Sequence, residues 1–395
     1  MKKALILALT VLTVLCMATA ALAVEVSYEG LVEVKWAGET DVDPGFDTGD
    51  VEATVNIDFK KDFGDGVTAG LKTRLRAHET GIMEFKDDGW IQLERDLFTA
   101  KASTDIDGNA AKDLGGEWDL TGAPGLGLDL NLIEGLTINS VINAGPNYGY
   151  VVKGGFEQDL FTVGGGYQAE KVDILDPLGA VLYADVTKSA LAAYGTFNVI
   201  EPLTIGAEYG MRKLSSKELD ADLEALKEDN FVTAILANAA YKDDAIDASA
   251  SFLMSDEGFV YLDYADDGDE FLARDTVRGI SDNNYMVIFT DASYKVTDAI
   301  GVNGAFDFIL SAKDADDKDV ELDDKMSYKV GADYTLDALK FEGWYKAYIG
   351  YEVGGKATYT LADGVDASLK VTSGKADKDD KDSKLAYTAL IKAAL

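Results

Sequence analysis

"VTAGLKTRLRAH", residues 67–78, is the stretch on which the fold turns. Val67, Ala69, Leu71, Thr73, Leu75 and Ala77 are apolar or small, whereas Thr68, Lys72, Arg74, Arg76 and His78 are hydrophilic and Gly70 has no side chain. A period of two is that of a β-strand, whose successive side chains point to opposite faces of a sheet. One face must therefore meet something apolar and the other water. Two architectures satisfy this: a soluble sheet lying on a protein core, or a membrane barrel with lipid outside and water inside.

The alternation recurs along the whole chain. Val51, Ala53, Val55, Ile57 and Phe59 oppose Glu52, Thr54, Asn56 and Asp58; Leu203, Ile205, Ala207, Tyr209 and Met211 oppose Thr204, Glu208 and Arg212. Met326, Tyr328, Val330, Ala332 and Tyr334 oppose Ser327, Lys329, Asp333 and Thr335, and Leu385, Tyr387, Ala389, Ile391 and Ala393 close the series. Strands of about ten residues with one apolar face suit a tilted membrane-spanning strand. The outward positions mix Ala, Gly, Thr, Val and Leu, a moderate hydrophobicity that fits a lipid-facing wall better than a soluble sandwich core.

Residues 1–23, "MKKALILALTVLTVLCMATAALA", combine two lysines, a short apolar run and an Ala21-x-Ala23 exit, and read as a secretory signal peptide cleaved after Ala23. Cys16 lies inside that run, so residues 24–395 use neither disulfides nor thiolate chemistry. No second apolar run is long enough to span a bilayer as a helix. Five prolines, 39 glycines and 19 tyrosines suit many strands and many turns. A net charge of −35 argues against a nucleic-acid partner and fits either a saline habitat or a preference for cations.

Short turns recur in "DFKKDFGDGVTAG", "NLIEGLTIN", "TFNVIEPLTIGA", "SYKVTDAIGVNG" and "TYTLADGVDAS". Each has an aromatic or apolar strand end, about three turn residues with Asp, Glu, Gly or Pro, and an immediate return to alternation. The connections between these hairpins, 37–50, 104–125, 213–229, 255–284 and 312–325, are long and acidic. Such asymmetry is that of an outer-membrane barrel with its short turns periplasmic and its long loops external. Phe59, Phe197, Tyr241, Tyr294, Tyr334 and Tyr359 sit just before short turns, where an aromatic girdle would meet one membrane interface.

On these patterns the chain resembles the bacterial outer-membrane general porins over residues 24–395, at the level of architecture. The expectation is an all-β fold: a single transmembrane antiparallel up-and-down β-barrel of about 18 strands, with 16 to 20 allowed, in the cell outer membrane. After the fifth strand comes "STDIDGNAAKDLGGEWDLTGAPG", where general porins carry a loop that folds into the barrel. The resemblance implies that residues 104–125 form this constriction loop, with Asp105, Asp107, Asp113 and Glu117 facing a basic wall of Lys72, Arg74 and Arg76. A transverse field of this kind favours small polar solutes over apolar ones. A homotrimer is likewise what the resemblance implies. One departure is the terminal Leu395, where the family usually ends in an aromatic residue, and no wall-binding segment precedes Val24.

Other stretches carry less. Residues 215–228 read as a short loop helix, with Ser215 and Glu218 spaced as a capping box. "KDADDKDVELDD" (313–324) and "YADDGDEF" (264–271) have the carboxylate density of calcium loops, but 313–324 lacks the glycine of the sharp turn, so solvated loops with weak divalent-ion binding, and no dedicated metal site, are expected. No Gly-x-Ser-x-Gly elbow or phosphate-binding loop occurs, and His78 is the only histidine, so neither catalysis nor a cofactor is expected. The function that follows is passive diffusion of small hydrophilic solutes and ions, with outer-membrane lipid as the other partner. The competing expectation is a secreted surface-layer or adhesin-like β protein whose apolar faces form a soluble core.

Overall fold

The computed structural model describes residues 30–40, 50–77, 83–114, 119–144, 148–175, 181–215, 231–256, 284–313, 326–347, 350–375 and 383–394. Their strands, in chain order, are β1 (Gly30–Thr40), β2 (Asp50–Gly64), β3 (Val67–Ala77), β4 (Met83–Arg95), β5 (Phe98–Asn109), β6 (Asp119–Ile133), β7 (Leu136–Asn143), β8 (Gly149–Gln158), β9 (Phe161–Leu175) and β10 (Val181–Ile200). There follow β11 (Leu203–Ser215), β12 (Phe231–Lys242), β13 (Ile246–Ser255), β14 (Asn284–Lys295), β15 (Ile300–Lys313), β16 (Met326–Leu336), β17 (Leu339–Ala347), β18 (Tyr351–Ala362), β19 (Val365–Lys375) and β20 (Lys384–Ala394). The signal peptide (1–23), the loop helix beyond Ser215, the acidic stretch 264–271 and that of 313–324 beyond Lys313 lie outside the described residues.

Among the described residues the strands number twenty, one hairpin more than the expected eighteen and within the allowed range. Nine turns of two to four residues join them; Gly or Pro marks four, at 65–66, 134–135, 201–202 and 363–364, and the other five, among them Asp96-Leu97 and Asp159-Leu160, have neither. At Asp65-Gly66 both residues have positive φ, 50° and 66°, the backbone of a tight hairpin whose twist matches its strands. The alternate connections are less uniformly long than expected, ranging from the three residues after Ala347 to the stretch 256–283. Residues 171–200 hold the end of β9 and all of β10, with no further strand among the described residues.

The described residues fall into two compact units. One contains the chain up to Leu93, Lys295–Asn303 and everything from Lys329 on; the other contains Glu94–Tyr294 and Gly304–Tyr328. Within the first, the antiparallel order is β17-β18-β19-β20-β1-β2-β3-β4. First and last strands pair in register from Leu31↔Ala394 to Thr40↔Leu385, the seam that a closed barrel requires. Within the second, β5 to β14 pair consecutively.

The distribution of side chains inverts that of a soluble protein. Leu126, Leu128, Ile142, Val152, Leu191 and Ile205 are exposed, Leu126 by 62% and Ile142 by 60%, while on the opposite parity Gln168, Glu170, Glu208 and Asp307 are buried. Exposed leucine and isoleucine in single positions are ordinary, but here they recur strand after strand on one face. The first unit repeats the pattern with Phe341, Val353, Leu369 and Ile391 exposed and Lys346 buried. An apolar face left outside and ionisable groups enclosed are what lipid as the outer solvent demands. Of the candidate girdle, Phe197 and Tyr294 in the second unit and Tyr334 and Tyr359 in the first are exposed; Tyr241 is half-buried, and the Phe59 side chain lies outside the description.

Candidate functional site

The connection after β5 is shorter than 104–125, because β5 continues to Asn109 and β6 already begins at Asp119. A register shift between Ser103 and Gly108 marks this extension, whose one apolar residue, Ile106, is buried. The chain then reverses: Asn109 Oδ1 accepts the Ala111 N–H at 2.6 Å, a local side-chain turn that ends the strand. Ala110, Ala111 and Leu114 are completely buried, so the segment lies against the inner face of the second unit rather than in solvent.

Glu208 on β11 is its anchor. The carboxylate accepts the backbone N–H groups of Lys112 at 2.5 Å, Asp113 at 2.6 Å and Leu114 at 2.9 Å, and the residue is only 3% exposed. Hydrogen bonds to a charged acceptor contribute roughly 1.5–3 kcal/mol each, and successive N–H groups converging on one anion form a nest. Lys153 on β8 donates to the Ala111 carbonyl, and Asn238 Nδ2 on β12 donates to Asp113 Oδ2 at 3.3 Å. Room for the segment comes from Gly166 on β9, where a Cβ would stand 2.3 Å from the Ala110 carbonyl oxygen. Tyr194 on β10 lies over Gly164 in the same way, and the Lys112 and Lys153 ammonium groups approach its ring to 5.9 and 5.5 Å.

Beyond the anchor the inner wall carries paired charge, as in Lys188 Nζ to Glu170 Oε1 at 2.5 Å, both largely buried. The other flank is apolar: Leu114 joins a buried cluster with Val232, Leu236, Leu253, Val287 and Phe289. The segment is thus held by ionic hydrogen bonds on one side and by packing on the other. Among the described residues no three His, Cys, Asp or Glu side chains are grouped to hold a metal.

Of the four expected loop acids, Asp113 lies on the inward segment. Asp105 and Asp107 belong to β5, where both are exposed and flank Ile106, and Glu117 lies outside the described residues. Lys72, Arg74 and Arg76 occupy one face of β3, in the first unit. Lys72, exposed, stands opposite Asp58 and Asp88, Arg74 opposite Asn56 and Lys86, and Arg76 opposite Thr54 and Glu84; the side chains of Arg74 and Arg76 lie outside the description. Glu208, Lys153, Tyr194 and Gly166 escaped the sequence reading. The glycine runs "VGGGY" (163–167) and "KGGF" (153–156) were the available signal, since glycine inside a strand marks a close approach by another backbone or ring.

No protein-family model matches the chain, and no curated protein does. Solved structures do. Pseudomonas aeruginosa OpdQ aligns at a TM-score of 0.50 and 9% identity, over 94% of this chain and 99% of its own. OprD of the same organism aligns at 0.50 and 11%, over 94% and 95%, and OccK3 (OpdO) at 0.50 and 10%, over 94% and 96%. Identity this low speaks for the fold alone, and that fold is the transmembrane up-and-down β-barrel of the outer-membrane porins, which the sequence resembles.

Proposed function

We propose that the protein is an outer-membrane channel through which small hydrophilic solutes and ions diffuse passively. The carrying observation is the inward segment 110–114, held by buried polar groups on one flank and apolar ones on the other, on the enclosed face of a sheet whose other face is apolar and exposed. A secreted surface protein needs its apolar alternating face as a core; here that face is the exposed one, so only a bilayer would cover it. The segment narrows the lumen, and a fixed narrowing sets a size limit. Lys72, Arg74 and Arg76 are the candidate wall charges of the first unit, and Asp113 the candidate loop charge of the second. With 71 Asp and Glu against 36 Lys and Arg, the mouth concentrates cations and the basic row opposes them, giving a weak cation preference. A homotrimer, which the porin resemblance implies, is a further expectation, checked by the mass of the detergent-solubilised protein.

The deciding experiment is single-channel recording of the purified protein in a planar bilayer. Stepwise, long-lived openings are expected, with a reversal potential in a KCl gradient that favours potassium slightly and less so as salt rises, because screening shortens the field. Arg74→Ala and Arg76→Ala should increase that preference. A protein that stays soluble without detergent and never inserts overturns the proposal.

A further inference from the structure

At the ends of β12–β15 away from the short turns, the second unit carries a recess of about 250 Å³. Thr233, Ile235, Met254, Asp256, Met286 and Lys313 are among the residues that line it. Ile235 and Met254 are exposed positions of the apolar outer face, and Met286 shares that parity on β14, where Tyr285 and Val287 are buried on the other. The recess therefore opens on the lipid side of the wall. β15 reaches the same side by a slip in its alternation. Leu310 is 44% exposed, whereas Ala312, of the same parity, is 4% exposed and joins the inner cluster of Leu114 and Val287. The reversal between them turns Lys313 outwards, to the rim of the recess.

Charged side chains on a lipid-facing wall are tolerated at the level of the headgroups, where a lysine can meet phosphate. Asp256 at the same rim is held in place. Its Oδ2 accepts the Thr233 N–H at 3.0 Å and the Thr233 hydroxyl, and its own N–H donates to the Thr233 carbonyl at 3.0 Å. A carboxylate has about four acceptor positions, so two remain for donors from a ligand. Below the two charges lie Ile235, Met254 and Met286, and methionine adapts to an irregular chain. We propose that this recess seats one membrane lipid whose headgroup carries both a phosphate, held by Lys313, and an N–H or O–H donor, held by Asp256, with an acyl chain lying on Ile235, Met254 and Met286. A headgroup with phosphate alone would leave the carboxylate facing an anion without a donor. The volume is below the roughly 300 Å³ at which drug-sized pockets begin, room for a headgroup and not for a whole ligand. The inference rests on the outer-membrane placement of the barrel and not on conduction.

The test is native mass spectrometry of the full-length, detergent-solubilised protein titrated with phosphatidylethanolamine or phosphatidylcholine of identical acyl chains. The two probes share the phosphate and differ in that only the ethanolamine has N–H donors. One retained phosphatidylethanolamine per chain is expected, bound about tenfold more tightly than phosphatidylcholine, the scale of one charge-assisted hydrogen bond. Lys313→Ala should weaken both lipids about tenfold, because the phosphate is common to them. Asp256→Asn should bring phosphatidylethanolamine down to the level of phosphatidylcholine. Met254→Trp, at an exposed position that folding tolerates, fills the recess and should abolish retention of both, which keeps the test decisive if a charge variant fails to fold. Equal retention of the two lipids by the native protein, or retention unchanged in Lys313→Ala or in Met254→Trp, overturns the site and leaves the channel reading standing.

Discussion

Two stretches of the same inner wall, both in the second unit, hold the segment 110–114 by different physics. Across β8–β11 the enclosed residues are glycines, amides and charges, with Gln168, Glu170 and Glu208 buried and Lys153 and Lys188 half-buried. Across β12–β14 they are Val232, Ala234, Leu236, Leu253, Tyr285, Val287 and Phe289. The polar stretch fixes position, because directed hydrogen bonds from Glu208 define where three backbone groups lie. Apolar packing is non-directional and supplies stability without choosing a geometry. Function and stability of this region should therefore be separable by mutation.

Breaking the apolar side should have the largest effect on stability. Leu253 is completely buried, and Leu253→Ala removes its packing and leaves a cavity, a loss of about 2–5 kcal/mol read from urea unfolding in detergent. Open-channel current should change little. On the polar side the balance reverses. Glu208→Ala leaves three N–H groups without their acceptor, costing about 1–3 kcal/mol, and frees residues 112–114. Flickering, more variable single-channel current is expected, with Glu208→Gln intermediate; a quiet channel in Glu208→Ala would show that packing alone positions the segment.

The smallest effect should come from the turn between β12 and β13. Asp243 accepts the N–H groups of Ile246 at 2.7 Å and Ala245 at 2.8 Å and the Tyr241 hydroxyl at 2.8 Å. These bonds hold its carboxyl below the ordinary value of 3.8, the Ile246 N–H contributing most. A depressed folded-state value means stability that is present above the unfolded-state value and lost as pH falls through the folded one. The melting-temperature difference between the native protein and Asp243→Ala should thus be small but full at pH 7 and shrink below pH 4; a difference constant with pH would assign the effect to the turn backbone alone.

How much of this was legible in the sequence follows the same division. Alternation in "VTAGLKTRLRAH" gives β3 and its two solvents directly, because each face reads independently. In "FVTAILANAAYK" it fails: β12 is apolar on both faces, since Leu114 covers one and lipid the other, and a strand does not state what covers it. The extension of β5 was hidden for a related reason, as "STDIDGN" offers only Ile106 to the wall and its acids mimic a loop. Glu208 is one carboxylate among 71 acidic residues, and only the arrival of a segment 95 residues away in sequence singles it out. The glycines opposite Tyr194 and Trp344 could have been read as seats for rings, but not which ring would take which seat.

The pairing of β1 with β20 bears on how the molecule comes together. Other strand pairings within the two units join neighbours in sequence, each closing a modest loop, so they can form as the chain emerges. The pair Leu31↔Ala394 joins the two extremities of the described chain, and ordering those ends has no local substitute. Loop-closure cost grows only logarithmically with length, about 0.6 kcal/mol per doubling, so the obstacle is less the final energy than the wait. Until that zipper engages, two strand edges stand open at once, each able to recruit a stranger's strand. The lifetime of the unsealed sheet, more than the strength of any contact in it, sets the interval over which this protein needs chaperoning.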